Sequence, residues 1–275
     1  QIPHHIHHSV STSLEGDLHD NSTVLADFSI TANGGKFFFG VATAPAQVED
    51  SLDDTWLEFA RKIGSSVHSW RQVPKPDERL RFWSDPELEI ILARSSGATV
   101  FRMGIDWGRI VPMEPNVHGG TIMAAHIESI NRYKIIMEMV HAHDMRVMLT
   151  LFHHSMPKWA MDYGGWVATD GGIRTASYFA EFAALARDSF GHLVDYWITF
   201  NEPDIFAMLT YCSGGLWPSN LVLNPNPNRL SFLFCISPWG RYGKAMSAIT
   251  KAHTAAYEEL KLRNESILVG VAHAV

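Results

Sequence analysis

Cysteine is scarce. The chain holds two, Cys212 and Cys235. Two cysteines do not make a disulfide framework, and both are expected to be reduced and buried. No Cys-x-x-Cys pair and no Cys/His spacing suits zinc. No stretch approaches the ~20 consecutive apolar residues of a membrane span, and no signal peptide is visible in the sequence. Positive charge is also short: Lys plus Arg number 22 against 29 Asp plus Glu, for a formal net charge of −7. Without a basic stripe, nucleic acid is not an expected partner. No Gly-rich phosphate loop follows the first apolar run, which argues against a nucleotide-binding, doubly wound sheet.

What is present is apolar content of 46% in 275 residues, enough for one large core. The sequence begins at Gln1 rather than Met and reads as processed, trimmed or a fragment. Residues 1–27 are polar and aperiodic and are expected to be a disordered segment preceding a domain at 28–275. His4, His5, His7 and His8 cluster there; they read as chance histidines in a tail, the alternative being a metal-binding tract. The two Asn-x-Ser/Thr matches, at Asn21 and Asn264, are too weak to imply secretion.

From there the apolar period alternates between strand and helix. Strands are expected at Lys36–Thr43, Thr99–Ile105, Arg146–Phe152, Leu193–Phe200 and Ile267–Ala272. Helices are expected at about 86–96, 124–143, 173–190 and 240–263, with one or two helical turns at Trp56–Ala60. Ser84-Asp85-Pro86 suits a helix start and Gly97 a C-terminal cap. A long excursion runs from Tyr211 to Pro238. Such alternation implies a parallel sheet. The polar residues fall at the C-terminal tips of successive strands, where barrel enzymes place their sites. The fold class is therefore α/β, a (β/α)8 TIM barrel that is incomplete, with about the first five of its strands present.

The fourth strand ends in Asn201-Glu202-Pro203. A carboxyl fixed at a strand tip in apolar surroundings is what a glycoside-cleaving acid needs. Asn-Glu-Pro alone can equally mark a turn. Its neighbours decide the matter: Gln47 and Glu49 follow the first strand, the second carries Arg102 and then Trp107 and Arg109, and the third ends in His153-His154. Amide, imidazole and guanidinium donors around a carboxylic acid suit a neutral polyhydroxylated ligand such as a sugar. Trp159 and Trp166 supply flat faces that either pack on sugar rings or anchor loops.

The segments Phe39-Gly40-Val41-Ala42-Thr43-Ala44-Pro45-Ala46-Gln47-Val48-Glu49-Asp50, Phe101-Arg102-Met103-Gly104-Ile105-Asp106-Trp107-Gly108-Arg109-Ile110, Thr150-Leu151-Phe152-His153, Gly164-Gly165-Trp166 and Thr199-Phe200-Asn201-Glu202-Pro203 resemble glycoside hydrolase family 1. Where ordinary members carry His-Trp-Asp-Leu-Pro, this chain has His153-His154-Ser155-Met156-Pro157, which resembles a plant galactolipid-modifying branch of the family. By that resemblance the enzyme moves galactose from one monogalactosyl lipid to another at the chloroplast outer envelope. Glu202 is the general acid/base, Gln47, His153 and Asn201 hold the hydroxyls of the transferred sugar, and Arg102 keeps the nucleophile ionised. The family is retaining, and its nucleophile is a Glu in an Ile/Val-Thr-Glu-Asn-Gly motif. That motif does not occur here, so the chain is expected to be a fragment lacking the nucleophile.

The resemblance implies no cofactor for the chemistry, with a divalent cation assisting only at a membrane surface. The implied partners are a sugar or galactolipid and, for the full-length protein, a membrane surface. A β-glucosidase or β-galactosidase of soluble glycosides, located in the cytoplasm, is the alternative. A non-catalytic truncated product, and a metal-dependent protein using the N-terminal histidines, are the others.

Overall fold

The computed structural model describes residues 38–62, 75, 77–115, 125–213, 217–218 and 229–273. The expected disordered segment, its boundary at residue 28, the histidine cluster and the stretch around Pro74 and Pro76 lie outside the described residues.

The central sheet has five parallel strands in the order β1-β2-β3-β4-β5: Gly40–Ala42, Val100–Gly104, Arg146–Phe152, Tyr196–Asn201 and Leu268–Ala272. Sequential order with parallel pairing is the topology of successive βα units in a barrel. The middle strands are buried almost throughout, as strands covered by helices must be: β3 reads Arg-Val-Met-Leu-Thr-Leu-Phe with five of its seven residues buried. Edge strands β1 and β5 keep more exposure.

The helices, in chain order, are α1 (Pro45–Val48), α2 (Thr55–Lys62), α3 (Glu87–Ser95), α4 (Trp107–Ile110), α5 (Ile127–Ala142), α6 (Lys158–Asp162), α7 (Ile173–Phe190), α8 (Pro203–Tyr211), α9 (Arg229–Cys235) and α10 (Arg241–Lys261). α3 is closed by Gly97 at φ +91°, a left-handed position that glycine takes without steric cost. α7 buries Phe179, Phe182, Ala183 and Ala186 on one face, as its spacing predicts. α10 turns Ala245, Ala248, Ala252 and Ala256 inward, and these small residues let it lie close against α7 and α8. Gly172, at φ +75° before α7, belongs to that close approach: a Cβ there would meet Ala248 Cβ at 2.5 Å.

The two cysteines are not reduced. Cys212 and Cys235 form a disulfide, with Cα atoms 5.6 Å apart, joining the end of α8 to the end of α9. This corrects the sequence expectation. The helix ends are brought within bonding range by the fold, across 23 positions of chain, and two cysteines carry no signal of that approach. The helices α8 and α9 were themselves not expected. Pro203 reads as a turn, yet at the first position of a helix its missing N–H costs nothing.

Candidate functional site at the strand tips

The site is built where β2, β3 and β4 end. Arg102, the half-buried member of β2, points across the sheet: its Nε donates to Thr150 Oγ1 on β3 at 2.9 Å and its Nη2 to Asn201 Oδ1 on β4 at 2.6 Å. Burial lowers the Arg102 pKa, while attraction to Glu202 works the other way and holds the charge. Asn201 passes the contact on, since its Nδ2 donates to Glu202 Oε2 at 3.1 Å. One amide thus couples a guanidinium to the carboxylate.

Glu202 has a left-handed backbone, φ 41° and ψ 56°. For a residue with a Cβ this conformation costs ~1–3 kcal/mol and clusters at functional sites. The ladder explains how it is held. Pairing of β4 with β5 is irregular between Ile198 and Asn201, and Glu202 N then donates to Ala272 O at 2.7 Å. Glu202 is the N-cap of α8, yet its side chain caps no backbone N–H, so the carboxylate is left to Asn201 and the rim.

His154 links this chain of bonds to β3. It too is left-handed, at φ 69°, and buried. Burial pushes its pKa down to about 4, so the ring is neutral, and its Nε2–H donates to the Asn201 carbonyl at 2.9 Å. That tautomer leaves Nε2 nothing to accept with, so the 3.4 Å approach of Asn201 Nδ2 to it adds no hydrogen bond. His153 beside it has its pKa pushed down to about 3 by burial, with His154 and Arg102 contributing. Its buried Nδ1 has no hydrogen-bond partner among the described residues. A buried ring nitrogen without a partner is a costly arrangement that a bound hydroxyl would relieve.

Gln47 is exposed on α1 and meets His153, His154, Trp56 and Trp217 around a cavity of about 90 Å³. At ~30 Å³ per water this is room for a few waters. Trp56 Nε1 donates to the His154 carbonyl at 3.2 Å, and Trp217 lies 4.6 Å from the His154 ring and 5.0 Å from Trp56. The structure therefore brings Gln47 to His153, and Arg102 and Asn201 to Glu202. His154 touches both groups. The sequence alone marks no separate role for His154 and no place for Trp56 or Trp217 in the site.

The rim expectations for Glu49 and Trp107 are corrected. Glu49 and Trp107 are each 1% exposed and turned inward. Glu49 accepts from the Tyr133 hydroxyl at 2.9 Å and lies 3.2 Å from Arg109 Nε, in a buried group with Asp54, Asp106 and Arg79. The chain bends into the interior after β1 and β2, so these polar residues leave the mouth. A larger cavity of about 360 Å³ borders this group at Asp54, Asp106 and Arg109, and neither Glu202 nor an expected sugar contact lines it. Trp159 and Trp166 are loop anchors and not open sugar platforms. Trp166 is fully buried among Phe152, Phe179 and Phe200. Trp159 Nε1 donates to Val111 O at 2.9 Å while its ring packs on Trp107. Among the described residues no group of three His, Cys, Asp or Glu is placed to hold a metal ion.

Parallel βα units with polar side chains gathered at the C-terminal strand tips are the architecture of a β/α-barrel protein. The chain belongs to glycosyl hydrolase family 1, whose family model matches residues 33–275. It is 40% identical, over 94% of its length and 48% of the other's, to a protein of Arabidopsis thaliana named galactolipid galactosyltransferase SFR2, chloroplastic. It is 36% identical, over 87% and 47%, to one of Oryza sativa subsp. japonica named beta-glucosidase-like SFR2, chloroplastic. The rice Os3BGlu6 β-glucosidase structure shares the fold, with a TM-score of 0.70 at 24% identity over 90% of this chain and 49% of that one. The chain spans about half the length of the curated relatives it matches.

Proposed function

We propose that the chain is the acid/base-bearing part of a retaining β-glycosidase-type enzyme that transfers galactose between monogalactosyldiacylglycerol molecules. The observation that carries this reading is Glu202 at the tip of β4, in a left-handed conformation and bonded through Asn201 to Arg102. Family membership supports the glycosidase chemistry, and likeness to the Arabidopsis galactosyltransferase supports the substrate.

In this reading Glu202 is the general acid/base. Gln47, His153 and Asn201 hold sugar hydroxyls. Neutral His153 offers its unpartnered Nδ1, and Asn201 offers the Nδ2 hydrogen not given to Glu202. Arg102 sets the local charge and positions Asn201. A retaining displacement needs a second carboxylate ~5–5.5 Å from the first. No Thr-Glu-Asn-Gly motif occurs in these 275 residues, and we assign no nucleophile within them. In the first step the nucleophile attacks the anomeric carbon, while protonated Glu202 gives its proton to the departing oxygen of diacylglycerol. In the second, ionised Glu202 takes the proton of an incoming hydroxyl, which attacks the same carbon and frees the nucleophile. Water as acceptor makes the reaction hydrolysis; a second galactolipid makes it transfer.

We place the enzyme at the chloroplast outer envelope, with the cytoplasm as alternative, and take residues 1–27 as a segment outside the catalytic domain. Among the described residues no helix is long and apolar enough to cross a membrane. The chemistry needs no cofactor, and a divalent cation would act only at the membrane surface. Hydrolysis of soluble glycosides is the second reading, favoured by 28% identity to the coniferin beta-glucosidase of Pinus contorta. The native protein given monogalactosyldiacylglycerol vesicles separates the two. Oligogalactolipid with diacylglycerol supports transfer; release of free galactose alone, with brisk turnover of a soluble aryl β-glycoside, supports hydrolysis.

A further inference from the structure

The corner between α9 and α10 exposes large apolar side chains: Trp239 at 80%, Leu230 at 76%, Phe234 at 69% and Leu233 at 51%. Isolated exposed apolar residues need no explanation, but four within ten positions do. The charge around them is equally uneven. From Ile205 to Tyr257 there is no Asp or Glu, while Arg229, Arg241, Lys244 and Lys251 give +4. The chain as a whole is −7, so the remainder carries −11. Arg241 and Lys244 are exposed beside the aromatic residues. A second exposed apolar helix face, Leu88, Ile91 and Leu92 on α3, sits instead with Glu87 and Glu89.

The corner's place in the fold matters. α8 leaves Glu202 at the C-terminal end of the sheet, and α10 runs from the corner back to the start of β5, so the corner lies at the end where Glu202 stands. The Cys212–Cys235 disulfide fastens α9 to the end of α8. Aromatic and leucine side chains flanked by cations, in an acid-free segment of an acidic protein, match the anionic interface of a bilayer in both polarity and charge.

We propose that Leu230, Leu233, Phe234 and Trp239, edged by Arg241 and Lys244, form a docking surface for an anionic lipid bilayer, turning the strand-tip site toward the headgroups. The proposal rests on the lipid-substrate reading only in choosing a bilayer as the occupant. The test is flotation of the full chain with vesicles of phosphatidylcholine alone or mixed with phosphatidylglycerol, and no galactolipid. Expected are binding to the mixed vesicles, weakening in high salt as the screening length falls from ~10 Å to ~3 Å, and a loss of about tenfold or more in Phe234→Ser/Trp239→Ser. Arg241→Glu/Lys244→Glu should lose the preference for mixed vesicles.

These are exposed positions, so thermal unfolding of the variants should match the parent. Equal flotation of the parent and the double-serine variant overturns the proposal, as does absence of binding by the parent. Concentration-dependent self-association without flotation, abolished by the same serines, would give the face to a second copy and also overturn it. Because these vesicles contain no galactolipid, flotation with no galactose transfer by the native protein counts against the substrate reading alone.

Discussion

Arg102 Nη2 donates to Asn201 Oδ1 at 2.6 Å, so a side chain from β2 reaches past β3 to fix the residue before Glu202. The same amide donates to Glu202 Oε2 at 3.1 Å. The pair settles which end of Asn201 is oxygen and gives Glu202 a defined neighbour. Hydrogen bonds to charged groups contribute ~1.5–3 kcal/mol. Asn201→Ala should lower unfolding free energy by that order, and a double-mutant cycle with Arg102→Ala should give a coupling of ~0.5–3 kcal/mol. Additive losses in denaturant titrations would mean the contact is incidental.

Glu49 makes a pH prediction away from the site. Three buried carboxyls, Glu49, Asp54 and Asp106, share two guanidiniums, Arg79 and Arg109. One carboxyl is in excess, and burial pushes Glu49 from 4.5 up to about 8 against the pull of Arg109. The folded state then binds more protons than the unfolded one between those values. The stability this group contributes is full below 4.5 and is lost as pH rises through about 8. Relative to Glu49→Gln, the parent should lose stability from about pH 5 to about pH 9. Parallel stability curves over that range would place the proton elsewhere.

The two histidines work in the opposite direction. Burial holds His153 at about 3 and His154 at about 4, below the ordinary 6.5. Their contribution is full above 6.5 and is lost as pH falls toward those folded values, because the unfolded rings take up protons first. NMR titration of the native protein should find both rings neutral at about pH 5.5, since the folded values lie lower. A ring titrating near 6.5 would show that the site is wetter than its burial implies.

Cys212 and Cys235 close a loop across 23 positions, worth about 3 kcal/mol in the chain-entropy account. Cys212→Ser, or reduction, should lower stability by about that much. Thiol titration of the unreduced, denatured chain should find no free thiol; two would restore the reduced reading.

The legible parts of the fold were those with uninterrupted apolar period. β3 at Arg146–Phe152 and α7 at Ile173–Phe190 fall where the pattern placed them. β4 begins at Tyr196, later than the expected Leu193, because Leu193 and Val194 are apolar but precede the ladder. In the site, strand-end polarity located His153, Asn201 and Glu202 on neighbouring tips, with Arg102 inside the strand beside them. It could not tell that the chain turns inward after Gln47 and carries Glu49 into the core. Nor could it find Trp217, whose place beside His154 depends on the path of a long connection, or the left-handed backbone that sets Glu202 apart from a plain N-cap.

The most direct test of the acid/base assignment is the dependence of Glu202→Gln on leaving group, in the native protein. Proton donation matters most when the departing oxygen is basic. Galactose transfer from a lipid or alkyl galactoside should fall ~10²–10⁴-fold. Cleavage of a dinitrophenyl galactoside, whose leaving group departs without a proton, should lose far less in its first step. Equal losses on both substrates, or near-normal turnover of the lipid, would remove Glu202 from that role.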